Sequence, residues 1–347
     1  KEEACFQLQR LFQEEKVTIV FHNAKFDVKI LSSNGFRLPG GKNKCSIQDT
    51  MVAAWLLNPE RTSKNGYSLE SLAETKLNLA GIEFEEIVHK GETFLNVPLE
   101  KATEYASEDA DFTLQLWFKL EEELRTSNLY ELYQNIEMKI LPILAKMELT
   151  GINLDSQTLI EYNKELTQGI LEIEKNIYEE VGHPFNIASP KQLQTVLFEE
   201  RGLKPSKKTK TGFSTDTSVL EELSLVDSVP KMILEYRELA KLQSTYVETL
   251  PKLVDKEGRI HTDFVQTGTA TGRLSCREPN LQNIPVRNEA GRKIRSAFKA
   301  PEGKVLISAD YAQIELVILA HLSNDKNMCN SFLQGTDVHK ATAALIY

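Results

Sequence analysis

The 347-residue chain has no run of the ~18 apolar residues that a membrane-spanning helix needs, and no signal peptide is evident. Cysteine is scarce. Cys5, Cys45, Cys276 and Cys329 are far apart and form no CxxC pair, which excludes a disulfide framework and a zinc site and suits a reducing cytoplasm. Positive charge is also short: 41 basic against 50 acidic residues leave a net charge of −9. That balance argues only weakly against nucleic acid as a partner, so local charge must decide. The remaining composition, 41% hydrophobic and 26% charged, is that of a globular protein, and the length implies two or more domains. The sequence opens on Lys1 inside a helical pattern, as expected of a fragment.

The most informative stretch is Lys304–Ser323. Val305, Leu306 and Ile307 predict a short buried strand. From Gln313 the period turns helical, with Ile314, Val317, Ile318 and His321 on one face. Asp310 sits at the junction, and two readings are open. It can cap the helix in a capping box with Gln313, or it can present oxygens to a hard cation. Glu315 lies among apolar neighbours. Buried there, a carboxylate needs a partner or a function.

The rest reads as follows in chain order. Residues 1–15 form an amphipathic helix, 17–21 a strand, and His22–Asp27 a polar turn before a helix through Val28, Ile30 and Leu31. Ser46–Asn58 predicts a helix, and another begins near Leu69. A long helix over 99–124 puts Tyr105, Asp109 and Thr113 on one face. A phenol one turn from a carboxylate can position a water, whereas Glu108 and Asp111 read as a solvated acidic face. Helices follow over 128–150, 156–181 and 226–253, with a short extended piece at 152–155. Between the last two helices, 201–213 carries Arg201, Lys204, Lys207, Lys208 and Lys210 and no acid, either a plain surface loop or a phosphate-binding one. Residues 265–300 hold seven basic and two acidic residues, opposite in sign to the whole. Arg, Asn and Gln side chains in that stretch suit phosphate and minor-groove contacts that carry no sequence preference.

Four motifs carry a resemblance. Asp310-Tyr-Ala-Gln-Ile-Glu-Leu316 with Ala320-His-Leu-Ser323 resembles the first palm motif of the family A DNA polymerases, the bacterial DNA polymerase I group. Thr271-Gly-Arg-Leu-Ser275 with Pro279-Asn-Leu-Gln-Asn-Ile-Pro285 resembles a primer–template segment of the same family. Asn23-x-Lys25-Phe26-Asp27 and Tyr105-x-x-x-Asp109 resemble the second and third motifs of the 3′–5′ exonuclease domain that accompanies such polymerases. Val317 departs from the arginine usual after Glu-Leu.

The resemblance implies an α/β (α+β) chain in three parts: a ribonuclease H-like exonuclease-type domain over 1–125 without its first strands, connecting helices and thumb over 126–265, and the first part of the palm over 266–347. It implies template-directed DNA synthesis by two-metal nucleotidyl transfer, in replication and repair. Asp310 and the Tyr311 carbonyl would hold two Mg²⁺, Glu315 would exclude the ribose hydroxyl, and Gln313 and His339 would lie near the triphosphate. Arg237, Lys241, Arg273, Asn280, Gln282 and Arg287, with Lys207, Lys208 and Lys210 at the thumb tip, would contact DNA. Asp27 and Asp109 would bind exonuclease metals, Tyr105 would orient the water, and Asn23 would meet substrate. Expected partners are primer–template DNA and deoxynucleoside triphosphates, with no membrane. A cytoplasmic, nucleoid-associated monomer is expected. One palm carboxylate and two exonuclease aspartates predict that these 347 residues alone are inactive. A non-catalytic DNA-binding scaffold and a nuclease using only the N-terminal domain are the alternatives.

Overall fold

The computed structural model describes residues 2–12, 17–36, 45–60, 66–209, 212–286 and 288–346. They form an α/β fold in two compact units, Lys1–Lys299 and Ala300–Tyr347.

In the first unit, α1 (Glu2–Leu11) precedes β1 (Thr18–Phe21), α2 (Ala24–Ser33) and β2 (Ser46–Asp49). The two strands pair in parallel, Thr18 opposite Ser46 and Phe21 opposite Asp49. Both end at one edge, and α3 (Thr50–Leu57) leaves β2 with no intervening loop. The helix expected over 46–58 is thus half right. Its first four residues are drawn into the strand by pairing with β1, a tertiary preference that outweighs a weak local one. Asp49 marks the change: its Oδ1 accepts the N–H groups of Met51 (2.8 Å) and Val52 (3.3 Å) at the start of α3. The same carboxylate accepts Asn23 N–H (3.1 Å) and Ala24 N–H (2.8 Å) at the start of α2. One buried side chain therefore caps two helices.

After α4 (Leu69–Leu72) and the short α5 (Phe84–Ile87), α6 runs from Leu99 to Thr126. Only its second half is buried. Phe112, Leu116, Trp117, Leu120 and Leu124 meet Val52, Leu72 and Tyr133 in one core. The first half stands free of that core and carries Tyr105 and Asp109. Next, α7 (Tyr130–Leu132) passes through a π turn, Tyr133–Glu137, into α8 (Met138–Thr150). Gly151 ends α8 at φ 64°, and a Cβ there would lie 2.7 Å from the Ile260 carbonyl. That close approach admits only glycine.

β3 (Ile152–Asn153) turns the chain into α9 (Ser156–Val181), whose boundaries match the sequence reading. The first half of α9 belongs to a core with Leu242, Tyr246, Ile260 and Ile294, while Ile177 belongs to another with Leu197, Leu220 and Ile233. That second core is closed by α10 (Pro190–Gln194), the hairpin β4 (Lys208–Thr209) and β5 (Gly212–Phe213), α11 (Thr217–Leu223) and α12 (Ser228–Leu242). The chain returns through β6 (Arg259–Ile260), antiparallel to β3, then the hairpin β7 (Asp263–Val265) and β8 (Ser275–Arg277), and α13 (Glu289–Ser296).

The second unit holds α14 (Ile314–Ser323), α15 (Lys326–Leu333) and α16 (Val338–Ile346). The strand expected over 305–307 is absent, and Val305 and Ile307 are 79% and 87% exposed. An extended run needs a neighbour for its ladder hydrogen bonds, and the described residues of this unit are otherwise helix and turn.

Candidate active site

The carboxyl ends of β1 and β2 open into a cleft of about 740 Å³ lined by Asn23, Asp27, Tyr67, Glu70, Asp109 and Thr113 among others. Asp27 reaches it from the first turn of α2, and Asp109 from the free half of α6. Burial pushes the Asp27 carboxyl up to about 6 against its own backbone N–H. Asp109 is also raised, first by burial and then by the charge of Glu70, against a hydrogen bond from Tyr105. Tyr105 rises to about 12, by burial and then by the Asp109 charge. Tyr105 and Asp109 thus act on one another from one face of α6, the face that the i, i+4 spacing implies. At the floor His22 is pushed down to about 4 by burial and is neutral at physiological pH, its Nδ1 2.8 Å from Thr50 Oγ1.

Glu70 is the residue that sequence reasoning missed. Its position after the Ser68 cap reads as an ordinary first-turn acid of a helix. Only the fold brings it into the cleft that Asp27 and Asp109 line, where its charge acts on Asp109. Glu108, expected on a solvated face, instead accepts the Ile82 N–H at 2.7 Å. It sits one residue from Asp109, and Gly81 leaves it room, since a Cβ on Gly81 would meet Glu108 Oε1 at 2.9 Å. Asp111 is exposed and accepts from Gln115 Nε2 at 2.7 Å, as a surface helix pair does.

The oxygen donors in this cleft suit a hard cation such as Mg²⁺. The burial that opposes their ionisation is the penalty a bound cation relieves. Among the described residues, however, no three His, Cys, Asp or Glu side chains converge closely enough to hold an ion.

In the second unit, the Asp310 capping reading fails. The helix begins at Ile314, and Gln313 occupies its cap position at φ 54° without a side-chain cap bond. Asp310 and Tyr311 lie exposed before it. Glu315 is exposed in the first turn of α14, not buried as its neighbours suggested, because α14 buries only Ala320. His339 lies in the first turn of α16, its backbone N–H donating to Asp337 at 2.8 Å.

The basic residues divide into two groups. Lys241 and Asn280 line one cleft of about 520 Å³ together with Thr245 and Asn283, two residues not singled out in the sequence. Gln282 turns its amide onto the Leu274 carbonyl (3.2 Å), and its N–H meets the Asn280 side-chain oxygen (3.0 Å). The Arg273 side chain is exposed on the β7–β8 loop. Arg237 is drawn elsewhere: its guanidinium, half-buried, donates to the Thr215 carbonyl at 2.5 Å. Lys207 donates to Ser218 at 2.9 Å and Lys208 lies over the Phe213 ring at 5.8 Å, both on an exposed hairpin. Lys210 and Arg287 lie outside the described residues.

A profile of DNA polymerase family A matches residues 156–347, and one of a 3′-5′ exonuclease matches residues 1–125. The DNA polymerase I of Treponema pallidum is 50% identical over 98% of this chain, and that of Chloroflexus aurantiacus 43% identical over 94%. The chain spans about a third of those relatives, 34% and 35% of their lengths. A solved Mycobacterium smegmatis Pol1 polymerase domain in complex with DNA primer-template and dNTP is 34% identical with a TM-score of 0.82. It covers 98% of this chain, and the chain covers 55% of it. With one profile spanning more than half of its length, this chain belongs to DNA polymerase family A.

Proposed function

We propose that this chain supplies the exonuclease-type domain, the thumb and the first part of the palm of a DNA-directed DNA polymerase, divided at 125/126 and 265/266. The observation that carries the reading is the cleft where Lys241, Thr245, Asn280 and Asn283 converge. An ammonium, a hydroxyl and two amides can donate to phosphate oxygens and to the acceptors every base pair presents in the minor groove. None of these groups reads sequence, as copying any template requires. The solved relative holding primer–template and dNTP supports the same partners here.

In the reaction, the primer 3′-hydroxyl attacks the α-phosphate of the incoming nucleotide and pyrophosphate leaves. Asp310, with the Tyr311 carbonyl, would hold Mg²⁺, and Asp27 with Asp109 would hold it in the exonuclease cleft. Those ions would supply charge stabilisation at the attacking and leaving oxygens. Glu315 stands against the sugar 2′ position, and Gln313 and His339 stand near the triphosphate. In the nuclease cleft Tyr105 orients the attacking water and Asn23 meets the frayed 3′ strand. Arg273, Lys207, Lys208, Lys210, Gln282 and Arg287 extend the DNA contact, and Arg237 supports it from behind through its bond to Thr215. The working form is a monomer in the bacterial cytoplasm, at the nucleoid.

The direct test is fluorescence anisotropy of a labelled primer–template hairpin with the 347-residue chain. Saturable binding weakened by Lys241→Ala and Asn280→Ala is expected. Binding that ignores both substitutions removes the reading.

A further inference from the structure

We propose that the exonuclease-type part of this chain braces the polymerase part. Trp55 and Lys25 are positioning residues that hold the β7–β8 hairpin so that its loop presents Arg273 to DNA. The inference rests on the DNA-binding reading above and adds a role for two residues outside both reaction centres.

The hairpin cannot hold its own shape. Each strand is three residues long, and the loop 266–274 between them contains Gly268 and Gly272. A two-stranded ribbon of that size is marginal in water. Gln266 ties it to Glu137, and Gln282 ties it to its own neighbourhood through Leu274, but the centre of its loop is held from the exonuclease-type part. The Trp55 indole on α3 is 3% exposed, and its N–H donates to the Thr269 carbonyl at 2.9 Å. The Thr269 hydroxyl in turn donates to the Arg273 carbonyl at 2.8 Å. Two hydrogen bonds in series thus connect a buried tryptophan to the backbone of Arg273.

The base of the hairpin is fixed as firmly. The Lys25 ammonium on α2 reaches Asp263 Oδ1 and the Phe264 carbonyl, each at 2.5 Å, and also Glu148. Glu148 is buried on α8, accepts the Phe264 N–H at 2.8 Å and pairs with Lys29. Asp263 accepts a second cation, Arg277 Nε at 2.6 Å, across the two strands. A buried carboxylate between two lysines does more than glue: with one partner removed, its charge is left under-compensated. The Arg273 side chain remains exposed while its backbone is held.

The test uses the 347-residue chain and a fluorescein-labelled primer–template hairpin at fixed salt. Trp55→Phe removes the donor and keeps a buried aromatic ring. Losing one buried hydrogen bond's worth of order should raise Kd roughly threefold to tenfold. It should also speed amide exchange across 267–274 while α6 stays protected. Arg273→Ala should weaken binding too, and adding Trp55→Phe to it should cost nothing further, because both act through one loop. Lys25→Met should repeat the pattern from the hairpin's base, and covers the case in which Trp55→Phe fails to fold. Additive losses, or unchanged loop exchange in the folded variants while Arg273→Ala weakens binding, overturn the bracing alone. Unchanged binding in Arg273→Ala overturns the assignment of DNA to this face, and the proposal with it.

Discussion

At the scale of single residues, Asp49 carries the most. Burial pushes its carboxyl up to about 6, while four backbone N–H groups at two helix starts pull the other way. Burial outweighs the four donors, so this carboxyl is harder to ionise than a free aspartate. Asp49→Ala strips the caps of α2 and α3 together. At roughly 1 kcal/mol or more per cap, a loss of about 2 to 4 kcal/mol is expected, read from urea unfolding midpoints. Asp49→Asn keeps an acceptor and should lose less. In the sequence Asp49 looked like the interior of a helix, because nothing local says that 46–49 pairs with β1. The positions of Asp27, Tyr105 and Asp109 could be placed because they are local, the end of a strand and one turn of helix, while the roles proposed for them come from the family resemblance. Glu70 was not, because its link to Asp109 exists only once α4 folds against α6.

At the scale of elements, the helices were legible and their irregularities were not. The span of α9 was read closely, from Ser156 to about Val181, and in the fold Asp155 and Gly182 mark its ends. The π turns at Ala73–Leu77, Tyr133–Glu137, Thr195–Glu200 and Gln243–Val247 leave no such mark. They only slip the helical period by a residue, as packing across several helices demands. The run 305–307 has the residues of a strand and no partner for one. The start of α9 makes a pH prediction. Lys299, then the Thr158 hydroxyl and N–H, hold the Asp155 carboxyl down at about 2. A carboxylate depressed in the folded state adds stability above its unfolded value near 4, and that contribution fades as pH falls toward 2. Calorimetry should therefore show wild type melting above Asp155→Asn at pH 6, with the gap closing between pH 4 and 2. A gap that persists at pH 2 would count against the Lys299 pairing.

At the scale of the whole molecule, charge is partitioned. The chain is net acidic, yet the segment 265–300 and the hairpin at 207–213 are basic. DNA affinity should then depend steeply on salt, with log Kd rising linearly in log salt as phosphate counterions are released. Titrations at two or more salt concentrations check this, and a flat response would place the DNA elsewhere or nowhere. On the reading proposed above, Asp310 is the one palm metal carboxylate among these 347 residues. They should therefore bind primer–template without extending it, and a primer-extension gel with Mg²⁺ and all four nucleotides reads this directly.

Helix α2 serves two masters within three residues. Asp27 faces the cleft proposed for the nuclease, and Lys25 bonds directly to the hairpin at Asp263 and Phe264 as well as to Glu148. The two duties separate in evolutionary terms. On the proposed reading, a lineage that gave up strand hydrolysis would be released from Asp27, Tyr105 and Asp109. It would still be held at Lys25, Asp49 and Trp55 by the need to copy DNA. The decay of such a nuclease would be lopsided, its chemistry erased and its frame kept.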